Sequence, residues 1–377
     1  MRKPPPPLKR ALEIAAHPPF RVQREEGLVL ISYREKGGFS EASWDAEARE
    51  LRGIVYAEAT GEAVSRPFHR FFNLGDPRCG FPPDRPLKTN DLLARKVDGF
   101  LLQVFAFQEK LWFASRAALR LSKAEHASWH QAWTPRHDAF VRQALESLGS
   151  ITLLFEVVDP KRLSLERHEE AAAVLLAIRH IPTGRYWFPG AAPELDALLQ
   201  SFQVPHVSWR PAGAGTLEEL HRRVRNEKDK EGYVLWLEEG DFLKVKTDWA
   251  LGFSRKQRRF QDHLREFSRS LMEDRFDDFI AGLSSEPEMQ GDFLRLYRRI
   301  RNLIGETLAM AEEVRGLPRK EAVALLEDRL RSFPLTQARL SLALAAYEGG
   351  EERAWARFKT LLKGRGPQIL DALLEEA

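Results

Sequence analysis

The 377-residue sequence has one cysteine, Cys79, and no apolar run long enough to cross a membrane. One cysteine excludes intrachain disulfides and zinc sites built on two or four cysteines. The first residues, MRKPPPPLKR, lack the apolar core of a signal peptide, so we expect a cytoplasmic protein without membrane association. The phosphate-loop pattern G-x-x-x-x-G-K-[ST] is also missing, so any use of a nucleoside triphosphate needs another mechanism.

The chain has no excess of charge of one sign. Its 58 basic and 55 acidic residues leave a net charge of +3, so any surface for nucleic acid must be local. The hydrophobic fraction of 43% is ample for a buried core. The length indicates two domains, or one large domain with an appendage.

The pattern of apolar residues changes near residue 250. From about residue 20 onward, short strand patterns alternate with turns and a few helices. After residue 250, apolar residues recur at the i, i+3, i+4 spacing of helices. We therefore expect an α+β domain over residues 1–252, followed by an all-helical domain over residues 253–377.

The stretch ARKVDGFLLQVF (94–105) places Lys96 just before Asp98 and Gly99. Asp-Gly between two apolar runs predicts a hairpin turn, and Lys96 would then be an exposed residue beside it. The alternative is a nucleophile held at a strand end. A K-x-D-G match has a chance probability of roughly 0.1 in a chain of this length, so other residues must decide.

Candidate partners of Lys96 lie further along the chain. Glu156 stands in the apolar run ITLLFEVV, where a carboxylate is costly to bury without a cation; an edge strand facing water is the alternative. Glu231 opens the strand pattern EGYVLWL. In FLKVK, Lys244 and Lys246 share one strand face, which suits an anion such as phosphate if it is not simply solvated.

Basic residues mixed with aromatics also occur upstream. The segment SRPFHRFFNLGD (65–76) combines Arg66 and Arg70 with three phenylalanines, and Arg52 precedes a strand pattern. Such a mixture suits phosphate or nucleotide; a segment that fills the core is the alternative.

In this order, the motifs resemble the covalent nucleotidyltransferases of the ligase and capping-enzyme superfamily, and within it the phage T4 RNA ligase 1 type. The resemblance covers about residues 20–250 and rests on Arg52, Arg70, Lys96-Val97-Asp98-Gly99, Phe155-Glu156, Glu231-Gly232-Tyr233-Val234 and Lys244-Val245-Lys246. The family usually has lysine where this chain has Arg70 and Arg116.

The resemblance implies a nucleotidyltransferase domain of ATP-grasp-like antiparallel sheets with helices, acting as an ATP-dependent RNA ligase in RNA repair. Lys96 would attack ATP to form lysyl-AMP, AMP would pass to an RNA 5′-phosphate, and a 3′-hydroxyl would then seal the strand. The pKa of Lys96 must fall for this attack, and we expect Lys244, Lys246 and a bound metal to lower it.

The resemblance also implies roles for individual residues. Lys96, Lys244, Lys246 and Glu231 would be catalytic, and Glu231 and Glu156 would hold Mg²⁺, with Mn²⁺ as a substitute. Phe155 would pack near the adenine. The complete expected nucleotide-binding set is Arg52, Arg70, Lys96, Asp98, Gly99, Arg116, Phe155, Glu156, Glu231, Lys244 and Lys246.

The expected partner is single-stranded RNA with 5′-phosphate and 3′-hydroxyl ends, bound by a monomer that is functionally coupled to an end-healing kinase or phosphatase. The basic stretches SRKQRR (254–259) and LYRRIRN (296–302) make the helical domain a candidate RNA-binding module, although a solvated helical face is the more common fate of such charges.

Two other functions compete with this one. A DNA ligase or a GTP-dependent capping enzyme generally carries an OB-fold after the last motif, whereas this sequence turns helical. An RNA-binding protein on a degenerate transferase scaffold would not need the intact lysines and glutamates.

Overall fold

The structure of the chain is a computed structural model that describes residues 4–33, 44–160, 166, 168–331 and 335–375. The chain divides into two compact units, Met1–Phe253 and Ser254–Ala377. In the described part, no helix is both long and apolar enough to span a membrane. The side chains of residues 254–258, within the basic stretch SRKQRR, lie outside the described part.

The first unit alternates strands and helices. Its strands are β1 (Phe20–Glu25), β2 (Leu28–Tyr33), β3 (Ile54–Ala57), β4 (Ala63–Ser65), β5 (Phe72–Asn73), β6 (Leu92–Arg95), β7 (Phe100–Phe107), β8 (Lys110–Ser115), β9 (Ile151–Val158), β10 (Ala172–His180), β11 (Tyr186–Trp187), β12 (Arg210–Pro211), β13 (Gly232–Leu237) and β14 (Asp241–Lys246). Its helices are α1 (Leu8–Ala15), α2 (Ala46–Glu50), α3 (Lys123–Ala132), α4 (Pro135–Leu148), α5 (Pro193–Phe202) and α6 (Leu217–Arg225).

These strands form three sheets. The first has the order β1-β2-β3-β4, the second β11-β10-β9-β7-β8 and the third β12-β6-β13-β14-β5. All pairings are antiparallel except that of β5 with β14. The second unit is helical, with α7 (Asp248–Met272) leading into α8 (Phe276–Gly282), α9 (Pro287–Glu313), α10 (Arg319–Leu330) and α11 (Thr336–Glu375). The predicted α+β class with a helical C-terminal region is confirmed.

The second sheet is buried on both faces, as the apolar run ITLLFEVV predicts for β9. On one face, Phe155 and Leu153 pack under α4 and α5 with Phe140 and Leu195. On the other face, Leu154 joins an apolar cluster with side chains of the third sheet, among them Trp236 and Phe242. The second and third sheets therefore pack face to face.

Antiparallel hairpins run over residues 101–115 and 231–246. The hairpin predicted at Asp98-Gly99 is wrong, because β6 belongs to the third sheet and β7 to the second. Both flanking strands exist, but each pairs with strands distant in sequence. Lys96 consequently lies where the chain crosses from one sheet to the other.

Candidate active site

Lys96 lines a cavity between the second and third sheets. Its backbone N–H donates to the carbonyl of Gly232, at 2.9 Å, which ties the crossover to the start of β13. The cavity has a volume of about 400 Å³. Its lining includes the cations Arg52, Lys96, Arg116 and Lys244, the carboxylate of Glu156, and apolar side chains of Leu176, Val207, Trp209 and Val234.

Two glycines let neighbouring backbone segments approach closely beside Lys96. A Cβ at Gly99 would overlap the carbonyl oxygen of Val157 on β9. Gly232 has a φ of 132°, and a Cβ there would overlap the carbonyl oxygen of Val245 on β14. The glycines of the K-x-D-G and E-G-Y-V motifs are therefore both required by close backbone packing, and Gly232 is required by its conformation as well.

Glu231 lies between two lysines. Its Oε2 forms an ion pair with Lys96 Nζ, and its Oε1 lies 2.8 Å from Lys246 Nζ. The carboxylate is buried, with 3% of the residue exposed. Burial raises the pKa of Glu231, but Lys96 and Lys246 outweigh it and hold that pKa below its ordinary value.

The pKa of Lys96 does not fall as we expected. Burial lowers the pKa of this lysine, but the carboxylates of Glu231, Glu156 and Asp98 together raise it above the ordinary value. The cations Lys244 and Lys246 therefore do not activate Lys96 by themselves. The negative charge of Glu231 has to be offset before Lys96 can attack as a neutral amine.

Lys244 shows the depressed pKa instead. Burial lowers its pKa to about 7, and the charges of Arg52, Lys96 and Lys246 act in the same direction. Its Nζ lies 5.0 Å from the centre of the Phe71 ring. Among the described side chains, no carboxylate forms an ion pair with Lys244, so a bound anion would supply the missing counter-charge.

Arg52 shares the Phe71 ring with Lys244. Its guanidinium carbon lies 5.6 Å from the ring centre, and its Nη1 donates to the carbonyl of Phe68 at 3.4 Å. The structure thus brings Arg52 and Lys244 together on one wall of the cavity. Such a wall suits the phosphates of a nucleotide.

Glu156 lines the cavity from a central strand. Strand β9 lies between β10 and β7, so the alternative of an edge strand facing water is wrong. Its Oε1 accepts a hydrogen bond from the Gly99 N–H at 3.2 Å. Burial raises the pKa of Glu156 to about 7; Lys96 opposes this rise and Glu231 adds to it.

We expect Glu156→Gln to stabilise the protein at high pH. The folded-state pKa of Glu156 lies above the ordinary 4.5, so the folded protein holds a proton that the unfolded chain releases. Stability is therefore lost as the pH rises towards 7, and the neutral amide avoids that loss. Thermal unfolding in EDTA should give a higher Tm than wild type at pH 8, by about 2–4 °C for each kcal/mol regained. Equal or lower Tm values at pH 8 would contradict the assignment, and near-equal values at pH 5 are the internal control.

Five of the predicted nucleotide-binding residues do not line the cavity: Arg70, Asp98, Phe155, Glu231 and Lys246. Phe155 is fully buried on the far face of β9, with its ring 5.2 Å from that of Trp133, so packing near the adenine is wrong for this residue. Arg70 stacks on Trp44 at 4.0 Å from the ring centre, outside the cavity lining. Asp98 raises the pKa of Lys96, and its carbonyl accepts a hydrogen bond from His168 at 3.2 Å.

Some residues around the site were not predicted. Arg66, for which the sequence left phosphate binding and a place in the core open, is buried against Glu50 at 2.9 Å. Glu166 accepts a hydrogen bond from the Glu231 N–H at 2.9 Å. Glu50 stands only two positions before Arg52, and this closeness could have suggested a role near the site. Glu166 carries no sequence signal that we recognise.

The donor set fits a metal held with few protein ligands. In the described part of the chain, no cluster of three or more His, Cys, Asp or Glu side chains could hold an ion. Glu231, which pairs with Lys96, and Glu156, which lines the cavity, offer hard oxygen ligands. Mg²⁺ is commonly held by one or two carboxylates, with water and substrate phosphates completing its shell.

Comparison with known proteins decides the family. A family model described as RNA ligase matches residues 50–250, the stretch that contains Arg52, Lys96, Glu156, Glu231, Lys244 and Lys246. RNA ligase 1 of bacteriophage TS2126 is 34% identical over 98% of this chain and 93% of that protein. The chain belongs to the RNA ligase family. The predicted membership is confirmed, and the DNA ligase and capping-enzyme alternatives are not favoured.

Solved structures of RNA ligases also align with the chain. An archaeal ATP-dependent RNA ligase aligns with a TM-score of 0.44 and 14% identity, over 95% of this chain and 80% of that one. A Naegleria gruberi RNA ligase variant with ATP and Mn aligns with a TM-score of 0.34 and 19% identity, over 45% of this chain and 52% of that one.

Proposed function

We propose that the protein is an ATP-dependent RNA ligase that joins 5′-phosphate and 3′-hydroxyl RNA ends through lysyl-AMP on Lys96. The observation that carries the proposal is the placement of Lys96 in the lining of a cavity that pairs a cationic wall, Arg52 and Lys244, with apolar side chains. The cationic wall suits phosphates, and the apolar side chains suit a purine ring. Membership of the RNA ligase family supports the same chemistry.

In the first step, the neutral amine of Lys96 attacks the α-phosphorus of ATP. An N–P bond forms, the bond to the bridging oxygen breaks, and pyrophosphate leaves. Lys96 loses one proton to solvent before the attack and a second as the N–P bond forms, and Glu231 holds and orients the amine. Lys244 and Arg52 stabilise the negative charge that develops on the phosphate oxygens.

The later steps use the same residues. An oxygen of the RNA 5′-phosphate attacks the AMP phosphorus, and the N–P bond breaks to release Lys96. The RNA 3′-hydroxyl then attacks the activated 5′-phosphorus, and AMP leaves. A divalent cation, which we propose is Mg²⁺ with Mn²⁺ as a substitute, would neutralise phosphate charge and offset Glu231, with Glu231 and Glu156 as its ligands.

We expect nucleotide binding to weaken as the pH rises above 7. Lys244 loses its proton near pH 7, whereas a bound triphosphate holds that proton on the protein. The affinity for a non-reactive ATP analogue without metal should fall about fivefold between pH 7.0 and 8.0. Titration calorimetry in a Glu156→Gln background isolates this effect, since Glu156 ionises in the same range. Lys244→Arg should bind with no such pH dependence; an equal slope in that variant would contradict the prediction.

Labelled nucleotide tests the proposed function. The protein is incubated with α-labelled ATP or GTP and Mg²⁺, then denatured. Label from ATP that stays on the protein and is removed by pyrophosphate is the expected result; no label from either nucleotide would exclude the covalent mechanism, and label from GTP alone would favour capping chemistry. Single-stranded RNA, nicked duplex and single-stranded DNA, each with a 5′-phosphate, then define the acceptor, for which we propose single-stranded RNA.

We also propose that the helical domain, residues 253–377, contributes to RNA binding in a monomeric enzyme that acts with end-healing enzymes in the cytoplasm. Within LYRRIRN, Arg298 and Arg301 are exposed. Arg299 is less suited to bind a phosphate, because its Nη1 already donates to the carbonyl of Leu373 at 2.7 Å. Arg298 and Arg301 are therefore the candidate phosphate contacts of this stretch.

A further inference from the structure

A carboxylate with 14% of its side chain exposed lies between two arginines beside the candidate active site. Glu50 accepts four hydrogen bonds, two from Arg66 at 2.9 and 3.0 Å and two from Arg179 at 2.8 and 2.9 Å. Arg66 and Arg179 are 2% and 3% exposed. We call Glu50, Arg66 and Arg179 the arginine clamp. It joins the end of α2, the segment after β4 and strand β10, which are far apart in sequence.

The arginine clamp is tightly packed. Arg66 Nη1 also donates to the Ile181 carbonyl at 3.1 Å. Gly184, with a φ of 71°, lies directly against the Arg66 guanidinium, and a Cβ there would come within 2.8 Å of Arg66 Nη1. The two arginines hold the pKa of Glu50 well below its ordinary range in spite of burial. Since the carboxylate stays ionised and fully bonded, the clamp fixes the backbone on each side of it.

The arginine clamp holds both ends of Arg52. At the backbone end, the Arg52 N–H donates to the carbonyl of Glu50 at 2.7 Å. At the guanidinium end, Arg52 donates to the carbonyl of Phe68, and the preceding carbonyl, of Pro67, accepts a hydrogen bond from Arg179 at 2.5 Å. A shift of the clamp therefore moves the backbone of Arg52 and the acceptor of its side chain together.

We propose that Glu50 is a positioning residue for lysine adenylylation, acting through Arg52. The inference rests on the proposed function, because Arg52 matters only if the cavity binds a nucleotide. Glu50 itself lies outside the cavity lining. Its effect on the rate comes from the position of the Arg52 guanidinium relative to the phosphates, where a displacement of about 1 Å is enough to slow a reaction strongly.

The chain offers a matched control. Arg85 and Asp91 form another buried ion pair of the first unit, with Nη1 of Arg85 at 2.7 Å from Oδ2 of Asp91. Asp91 is fully buried and also accepts hydrogen bonds from the N–H groups of Lys88 and Glu238. None of these four residues lines the cavity. Asp91→Asn therefore reproduces the loss of a buried carboxylate without touching the support of Arg52.

A double-mutant cycle separates positioning from stability. Single-turnover lysyl-AMP formation is measured for Glu50→Gln and Asp91→Asn, each alone and combined with Arg52→Lys, at a temperature where circular dichroism shows every variant folded. We expect Glu50→Gln to slow the reaction by about tenfold or more in the wild-type background and by less than about twofold in the Arg52→Lys background. Asp91→Asn should have the same effect, large or small, in both backgrounds.

Glu50→Asp supplies a second route if Glu50→Gln fails to fold, because aspartate keeps the charge between the arginines but is too short for all four bonds. The same non-additivity with Arg52→Lys is expected. Equal factors for the Glu50 variants in both backgrounds would overturn the inference while leaving the proposed function intact. Absence of labelling in the wild-type protein would overturn the proposed function first.

Discussion

Lys96→Arg should abolish lysyl-AMP formation, with a loss of roughly four orders of magnitude or more in rate. The guanidinium stays protonated at any working pH, so it has no lone pair for attack on phosphorus. It keeps the positive charge that pairs with Glu231, so the fold is retained. Gel-based detection of label from α-labelled ATP measures the loss, and circular dichroism checks the fold.

A second lysine provides the control for this prediction. Lys88 is exposed and pairs with Glu238 and Glu239, each at 2.8 Å, away from the cavity lining. Lys88→Arg should label like wild type. Labelling of the Lys96→Arg protein at more than a trace level would show that another residue carries the nucleotide.

Glu231→Gln should reduce lysyl-AMP formation by about two to three orders of magnitude. Two effects oppose each other in this variant. Removing the charge lowers the pKa of Lys96, which favours the neutral amine. It also removes the carboxylate that we propose for the metal and that holds Lys96 and Lys246 in place. We expect the second effect to dominate, because orientation and phosphate neutralisation each contribute more than one proton equilibrium.

The pH profile distinguishes these two effects. In single-turnover assays, Glu231→Gln should be slow at every pH, with its rate rising at a lower pH than that of wild type because Lys96 deprotonates more easily. A variant as fast as wild type at pH 7 would contradict the role of Glu231. A slow variant with an unshifted profile would contradict the ion pair with Lys96.

Much of the site could be predicted from the sequence, because its residues lie in short local motifs. The period of two along a strand places Lys244 and Lys246 on one face; in the structure Lys244 lines the cavity and Lys246 pairs with Glu231. The same rule argues against Phe155 as an adenine contact. If Glu156 points into the cavity, its neighbour in the strand points to the opposite face, and Phe155 does so.

The remaining features depend on pairings between distant segments. The local sequence at Asp98-Gly99 predicts a hairpin, but β6 pairs with β13 and β7 pairs with β9. No local signal encodes which sheet a strand joins. The clamp joins Glu50 to Arg179, which is 129 positions away. No local pattern distinguishes a buried arginine such as Arg66 from one that lines the cavity, such as Arg52.

The central claim is that Lys96 carries AMP, and peptide mapping tests it most directly. The protein is incubated with ATP and Mg²⁺, digested at alkaline pH to preserve the N–P bond, and analysed by tandem mass spectrometry. We predict AMP on Lys96 and on no other lysine, with the modification lost after incubation with pyrophosphate. AMP on Lys244 or Lys246 with Lys96 unmodified would contradict the account.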